Sequence, residues 1–308
     1  MPALLHSVLT ILIVTMIGWS LMRFNVVTRQ QWDGFERISY QVFFPAVILH
    51  SLLTADLSSV PALPVGGSLL AAVVITGGLL LALRPTLKRL LDIGDATFSS
   101  MMQGSIRWNT FMAVSMAGLL HGGRGLTLVA VAIVAIIPLM NLWTVMMLRR
   151  FGTGHSGSLN PLDLLKNPFI WSSLLGIALN LLGIGLPGPV MSAIDMCGKA
   201  ALATALLLVG SGLRLGDLGR PTPALLLTTT LKLLLVPLLA GGLGLAAGLA
   251  GVDLSVLLIC ASMPCAGAAY IMARQMGGDA PLMAAVITFE TVACIATIPV
   301  FQALFVRG

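Results

Sequence analysis

The chain has 308 residues, of which 57% are hydrophobic and only 9% carry a charged side chain. An average soluble domain is about 45 to 50% apolar and about 25% charged, so this composition, with a mean hydropathy of +1.01, excludes a soluble globular fold. The formal charge of +6 does not indicate nucleic-acid binding, because the Lys and Arg residues are dispersed among short connections rather than gathered on one face.

Ten apolar segments follow one another along the chain. Each is long enough to cross a hydrocarbon layer about 30 Å thick as a helix, with the sixth shorter than the rest. They are predicted over residues 3–22, 38–55, 66–83, 97–120, 126–148, 169–185, 189–213, 223–249, 253–274 and 281–305. The sequence therefore predicts an all-α integral membrane protein with ten transmembrane helices, called spans one to ten below.

The basic residues test this count, because loops on the cytoplasmic side of a membrane protein are enriched in Lys and Arg. Two of the 17 Lys and Arg residues, Arg107 and Lys232, lie well inside predicted spans. Odd-numbered connections carry twelve of the others, whereas even-numbered connections and the two termini carry three. This alternation predicts an even number of spans, with both termini on the periplasmic or extracellular side of a bacterial inner membrane.

The longest connection divides the chain into halves. We predict a first five-helix repeat over residues 1–150, a cytoplasmic connector rich in Gly, Ser and Pro over 151–168, and a second five-helix repeat over 169–308. Five is an odd number, so related halves must be inserted with opposite topology, as in many secondary transporters. The fold expected from this division is a pair of inverted repeats.

Three charged residues lie well inside predicted spans: Arg107, Lys232 and Glu290. A charge near the bilayer centre costs at least about 2.5 kcal/mol on insertion scales, so each of them requires a partner, water or a function. One interpretation is snorkelling or a structural ion pair. The other assigns Arg107 to a solute site, and treats Glu290 with Lys232 as a coupling pair or a structural ion pair, since Glu290 is the one carboxylate suited to exchange a proton.

Spans four and nine contain the polar and helix-breaking residues expected of a transport site. Span four reads GSIRWNTFMA around Arg107, Asn109 and Thr110, and span nine reads ASMPCAGAAY around Pro264 and Gly267. Proline removes a backbone donor and disturbs the preceding turn, so span nine is predicted to be kinked or broken. Broken helices at equivalent positions of two halves commonly form a site at the membrane midplane, where helix N-termini attract anions.

The elements RWNTFM, KNP at 166–168, LLLVGSGLRL at 206–215 and ASMPCAGAAYIMARQMGGD together resemble the auxin efflux carrier family, in a compact bacterial form. The resemblance covers nearly the whole chain. It implies two inverted five-helix repeats, a scaffold and a transport domain that work as an elevator, and crossing discontinuous helices at spans four and nine. The architecture implied is like that of bile acid symporters and sodium/proton antiporters.

By position, the resemblance places the family's crossover asparagine on Asn109 and its crossover proline on Pro264. The substrate-binding residues expected are Arg107, Asn109, Thr110, Pro264, Ala266 and Gly267. This sequence departs from the family in two places. Val114, Ser115 and Met116 occupy the stretch where span four often has a proline, which puts the break of that helix in doubt, and a proline of span seven is replaced near Ala203.

The function expected is secondary active transport of a small organic anion such as a carboxylate, driven by an ion gradient or the membrane potential. The sequence has no P-loop, HExxH or GxSxG motif, which argues against an ATPase and an intramembrane enzyme. A passive channel and a membrane receptor remain as alternatives. No cofactor or metal is expected beyond a coupling H⁺ or Na⁺, and the partners expected are the organic anion and the lipid bilayer, with a homodimer as a further candidate and no nucleic acid.

Overall fold

The protein is described by a computed structural model that covers residues 2–54, 60–152, 168–213 and 221–306. Within these ranges every regular element is a helix and no strand occurs. The helices are α1 Pro2–Arg23, α2 Arg29–Ile38, α3 Phe44–Thr54, α4 Ala62–Leu91, α5 Asp95–Ile106, α6 Thr110–Phe151, α7 Pro168–Leu181, α8 Gly188–Gly212, α9 Pro223–Thr230, α10 Val236–Ala246, α11 Gly251–Ser262, α12 Ala268–Met276 and α13 Ala280–Phe305. The sequence-based prediction of an all-α protein is confirmed.

Two π-turns join neighbouring helices without ending them. Ser39–Phe43 links α2 to α3, and Leu231–Leu235 links α9 to α10. Each pair forms one continuous rod with a widened turn in the middle. Such turns insert an extra residue into the hydrogen-bond ladder and are frequent at functional sites.

Five helical stretches are long and apolar enough to cross a membrane: Ala62–Leu91, Asp95–Phe151, Gly188–Gly212, Pro223–Ala246 and Ala280–Phe305. Shorter apolar helices cover Ile13–Arg23, Ile170–Leu181 and Gly251–Ser262. These lengths and compositions are those of a multi-pass membrane protein.

The stretch Asp95–Phe151 has 57 residues, which would extend about 85 Å as one straight helix, nearly three times a bilayer core. Two interruptions divide it. One separates α5 from α6, and the other is at Gly122, whose φ of 55° and ψ of −139° reverse the chain inside α6. Gly125 consequently packs against the carbonyl of Ala117, so the two parts of α6 form a tight helical hairpin.

Polar contacts join even-numbered connections to each other and odd-numbered connections to each other. At one end Arg124, in the turn between spans four and five, forms an ion pair of 2.8 Å with Asp253 at the start of α11. At the other end the hydroxyl of Thr97, at the start of α5, donates to the carboxylate of Asp279, between α12 and α13, over 2.9 Å. In the numbering predicted from the sequence, these are contacts of the fourth connection with the eighth and of the third with the ninth.

The helices pack in two groups that draw on both halves of the sequence. In the first group α1 packs on α8, and α3 packs on α7 and α8. In the second, α4, α5 and α6 pack with α9 to α13. Gly18 of α1 lies against the carbonyl of Leu207, and Gly210 of α8 lies against that of Thr15, so paired glycines bring these two backbones together. The hairpin of α6 contacts both groups.

Candidate functional site

Span four is interrupted although it lacks the family proline. Helix α5 ends at Ile106, Arg107 is extended with φ −74° and ψ 151°, and α6 begins at Thr110. The side chain of Asn109 caps α6 by accepting a hydrogen bond of 3.2 Å from the Met112 N–H. An asparagine at this position supplies an acceptor to the otherwise unpaired first turn, which favours a new helix start without any proline.

Span nine is interrupted over residues 263–267, between α11 and α12. Met263 is extended with ψ 139°, the conformation that a following proline imposes. The Pro264 carbonyl accepts a hydrogen bond of 2.7 Å from the Asn109 N–H. The two interruptions therefore cross in direct contact, and each satisfies a backbone group that the other leaves without a helical partner.

Five of the six predicted substrate-binding residues line one cavity of about 170 Å³, which we call the inner cavity. These residues are Arg107, Asn109, Thr110, Ala266 and Gly267. The sixth, Pro264, is not in the lining and contributes its carbonyl to the crossing instead. The sequence thus predicted a set of residues that the structure brings together.

The first turns of two helices adjoin the inner cavity. Thr110 begins α6, and Gly267 caps α12, which starts at Ala268. A helix N-terminus carries a partial positive charge and unpaired N–H groups. Arg107 adds a full positive charge, and its guanidinium donates to the Thr144 hydroxyl and the Met272 sulfur, each over 3.4 Å. The part of the inner cavity formed by these groups is therefore suited to an anion.

A second, outer cavity of about 150 Å³ shares part of its lining with the inner one. Four residues belong to both linings: Glu36, Asn109, Phe111 and Gly267. The outer cavity extends to Arg29 and Leu213, where α2 begins and α8 ends. It therefore leads from the inner cavity towards the end of the molecule that carries the odd-numbered connections.

Sequence reasoning missed Glu36 and Tyr40, which also line the inner cavity. Both residues lie far from the two interrupted helices in the sequence. Glu36 precedes the predicted second span and reads as an ordinary loop charge, and Tyr40 is the second residue of the π-turn Ser39–Phe43. A π-turn leaves no recognisable signature in a single sequence. The nearest sequence signal is the clustering of two acidic residues, Asp33 and Glu36, immediately before an apolar run.

Lys232 and Glu290 are fully buried, with exposed fractions of 1% and 0%, and line neither cavity. The Glu290 carboxylate accepts a hydrogen bond of 2.8 Å from the Cys265 N–H, inside the interruption of span nine. The Lys232 ammonium, in the second π-turn, approaches the Ala261 carbonyl at the end of α11 over 3.4 Å. Within the described residues the two side chains make no direct ion pair, so each is held by backbone of the crossing.

Unused hydrogen-bonding capacity surrounds this part of the crossing. In the described part of the chain, Glu290 Oε1 and both terminal amide atoms of Gln103 are buried without a hydrogen-bond partner. The backbone carbonyl of Gln103 is approached by the Cys265 thiol at 3.8 Å. Across the same described residues no three His, Cys, Asp or Glu side chains gather as a metal site requires.

An apolar multi-helix fold with a solute-sized polar cavity between interrupted helices defines the class of membrane transport proteins. Residues 3–302 match the sequence model of the family described as membrane transport protein, and the chain belongs to this family, the auxin efflux carrier family. It is also similar to an uncharacterized transporter of Methanothermobacter thermautotrophicus, with 25% identity over 307 residues that cover 96% of this chain and 97% of that one. The family is one of transporters rather than enzymes.

Proposed function

We propose that the protein is a secondary active transporter for a small organic anion such as a carboxylate. The observation that carries the proposal is the inner cavity, where the N-termini of α6 and α12 and the side chain of Arg107 come together. Three sources of positive potential in a low-dielectric setting attract an anion, and N–H groups at helix starts match carboxylate oxygens. A cavity of about 170 Å³ fits a solute of a few heavy atoms.

We further propose ten membrane crossings arranged as two inverted repeats, 1–150 and 169–308, joined by a connector whose residues 153–167 lie outside the described ranges. The sorting of contacts by odd and even connections supports ten crossings. The excess of basic residues in the odd connections supports the further proposal that both termini lie outside a bacterial inner membrane.

The transport movement proposed is an elevator. The group formed by α4 to α6 with α9 to α13 carries the crossing and slides against the group formed by α1 to α3 with α7 and α8. Support comes from the cavities, which lie where the groups meet: Glu36 and Leu213 come from the group of α1 to α3 with α7 and α8, and Asn109 and Gly267 come from the group of α4 to α6 with α9 to α13. A homodimer would fix one group in the bilayer while the other moves.

We propose that Glu290 and Lys232 couple transport to H⁺ or Na⁺. Support comes from their burial beside the crossing and from the free oxygen of Glu290 among the described residues. A proton or cation bound there would change the charge next to the interruption that holds the solute. Replacing Glu290 by Gln keeps the shape and one acceptor but removes the ionisable group, so transport should lose its dependence on the coupling ion.

The test begins with purified full-length protein screened against mono- and dicarboxylates by ligand-induced thermal stabilisation, followed by transport in proteoliposomes with and without H⁺ or Na⁺ gradients. Arg107→Ala should abolish both binding and transport while the protein stays folded. Unchanged transport by this variant would overturn the proposed site. Transport without acceleration by solute on the trans side would indicate a passive channel, and binding without any flux would indicate a receptor.

A further inference from the structure

The inner and outer cavities meet at a neck formed by Glu36, Asn109, Phe111 and Gly267, the four residues common to both linings. Glu36 is the acidic residue of this neck. Arg107 lines only the inner cavity, and Arg29 lines only the outer cavity. A solute bound against Arg107 and extending towards the outer cavity therefore passes the residues that the two linings share, Glu36 among them.

The charge of Glu36 faces this route. Its side chain is exposed, and within the described part of the chain it makes no direct ion pair. Arg29, one of the cations on the same helix, forms its ion pair with Asp33 at 3.7 Å and acts on Glu36 only through longer-range electrostatics. Because Glu36 is seven residues after Arg29, both stand on the cavity-facing side of α2, two turns apart.

A binding route with a cation at its inner end and a carboxylate at its neck recognises two unlike charges. A second negative charge on the solute would lie beside Glu36 and be repelled, whereas an ammonium group there would form a charge-assisted hydrogen bond. An uncharged end would gain neither effect. The binding affinity of a carboxylate solute should consequently depend on the charge of the group at its other end, with a positive group favoured and a negative group disfavoured.

We infer that Glu36 is a specificity-determining residue and that the transported anion is a small amino carboxylate, with its carboxylate towards Arg107 and its ammonium group at Glu36. This inference rests on the proposed function, since it takes the inner cavity as the solute site. It specifies the chemical group at the second end of the solute, because the helix N-termini and Arg107 recognise only the carboxylate end.

The test compares three probes with a four-carbon chain, 4-aminobutyrate, butyrate and succinate, by ligand-induced thermal stabilisation of the full-length protein. Wild type should bind 4-aminobutyrate at least about tenfold more tightly than butyrate, the factor a charge-assisted hydrogen bond supplies, and succinate least tightly. Glu36→Gln should remove this preference, and Glu36→Lys should make succinate the best of the three. Asp33→Asn, which changes an acidic residue of α2 outside both linings, should leave the ranking unchanged.

The possible results separate the inference from the function on which it rests. Binding of all three probes with the same ranking in wild type, Glu36→Gln and Glu36→Lys would overturn the role of Glu36 and leave the anion site standing. A wild-type preference for succinate would do the same. Failure of every probe, together with shorter and longer members of the three series, to stabilise wild type would contradict the small-carboxylate function itself.

Discussion

Replacement of Asn109 separates two roles that the structure gives to one side chain. Asn109 is 8% exposed, lines the inner cavity and caps α6 through its acceptor to the Met112 N–H. Asn109→Ala removes the cap and should cost about 1 kcal/mol, whereas Asn109→Ser and Asn109→Asp keep an acceptor and should cost little. In a chain of this size such a loss lowers the melting temperature by roughly 2 to 4 °C.

The transport rates of the same variants should follow a different order from their melting temperatures. Asn109→Asp preserves the cap but places a carboxylate in the anion cavity, so transport of a carboxylate should fall more than about tenfold, a change of about 1.4 kcal/mol. Thermal unfolding in detergent and uptake into proteoliposomes measure the two effects on the same preparations. Equal melting temperatures for the Ala and Ser variants would refute the capping role, and normal uptake by the Asp variant would refute the anion site.

Three further predictions concern the hairpin, the buried charges and the surface. Gly122→Ala should destabilise the protein by about 1 to 3 kcal/mol, because φ of 55° with ψ of −139° is reserved for glycine; Gly123→Ala, which meets open space, is the matched control in thermal unfolding. Lys232→Met should cost about 1 to 3 kcal/mol, because it removes a cation that acts on the buried Glu290 carboxylate without pairing with it directly. Adding Glu290→Gln should recover most of this loss in a double-mutant cycle, and strict additivity would show that the charges are independent. Arg124→Gln should change the melting temperature little, because its ion pair with α11 is partly exposed and worth under about 1 kcal/mol; a large loss would show that this contact holds the hairpin.

The location of the site followed from single residues that conflict with an apolar setting. Arg107, Asn109 and Thr110 stand out in span four because buried polar groups in a bilayer require partners, and Gly267 follows the proline of span nine. All four line the inner cavity. Local chemistry was sufficient here because the cost of burying a polar group is large compared with other local preferences.

Whether span four is interrupted could not be settled by local rules, since Val114 to Met116 hold no proline. The structure shows that the break depends on a partner: the Asn109 N–H is taken by the Pro264 carbonyl, more than 150 residues away in sequence. The pairing of Glu290 with the Cys265 N–H, rather than directly with Lys232, joins two consecutive spans at residues 25 positions apart. No sequence window contains both members of such a pair.

By itself the sequence determined that the chain is a helical membrane protein, because its hydrophobic composition favours the lipid bilayer over water. It also identified the polar and charged residues that are most costly to bury in the bilayer. Its resemblance to a transporter family gave the class. The tertiary structure decided how the halves interleave, that two helix starts and Arg107 share one cavity, and that Glu36 stands at its neck. The direction in which a helix N-terminus or a carboxylate faces depends on packing among distant segments, and periodicity and composition do not carry that information.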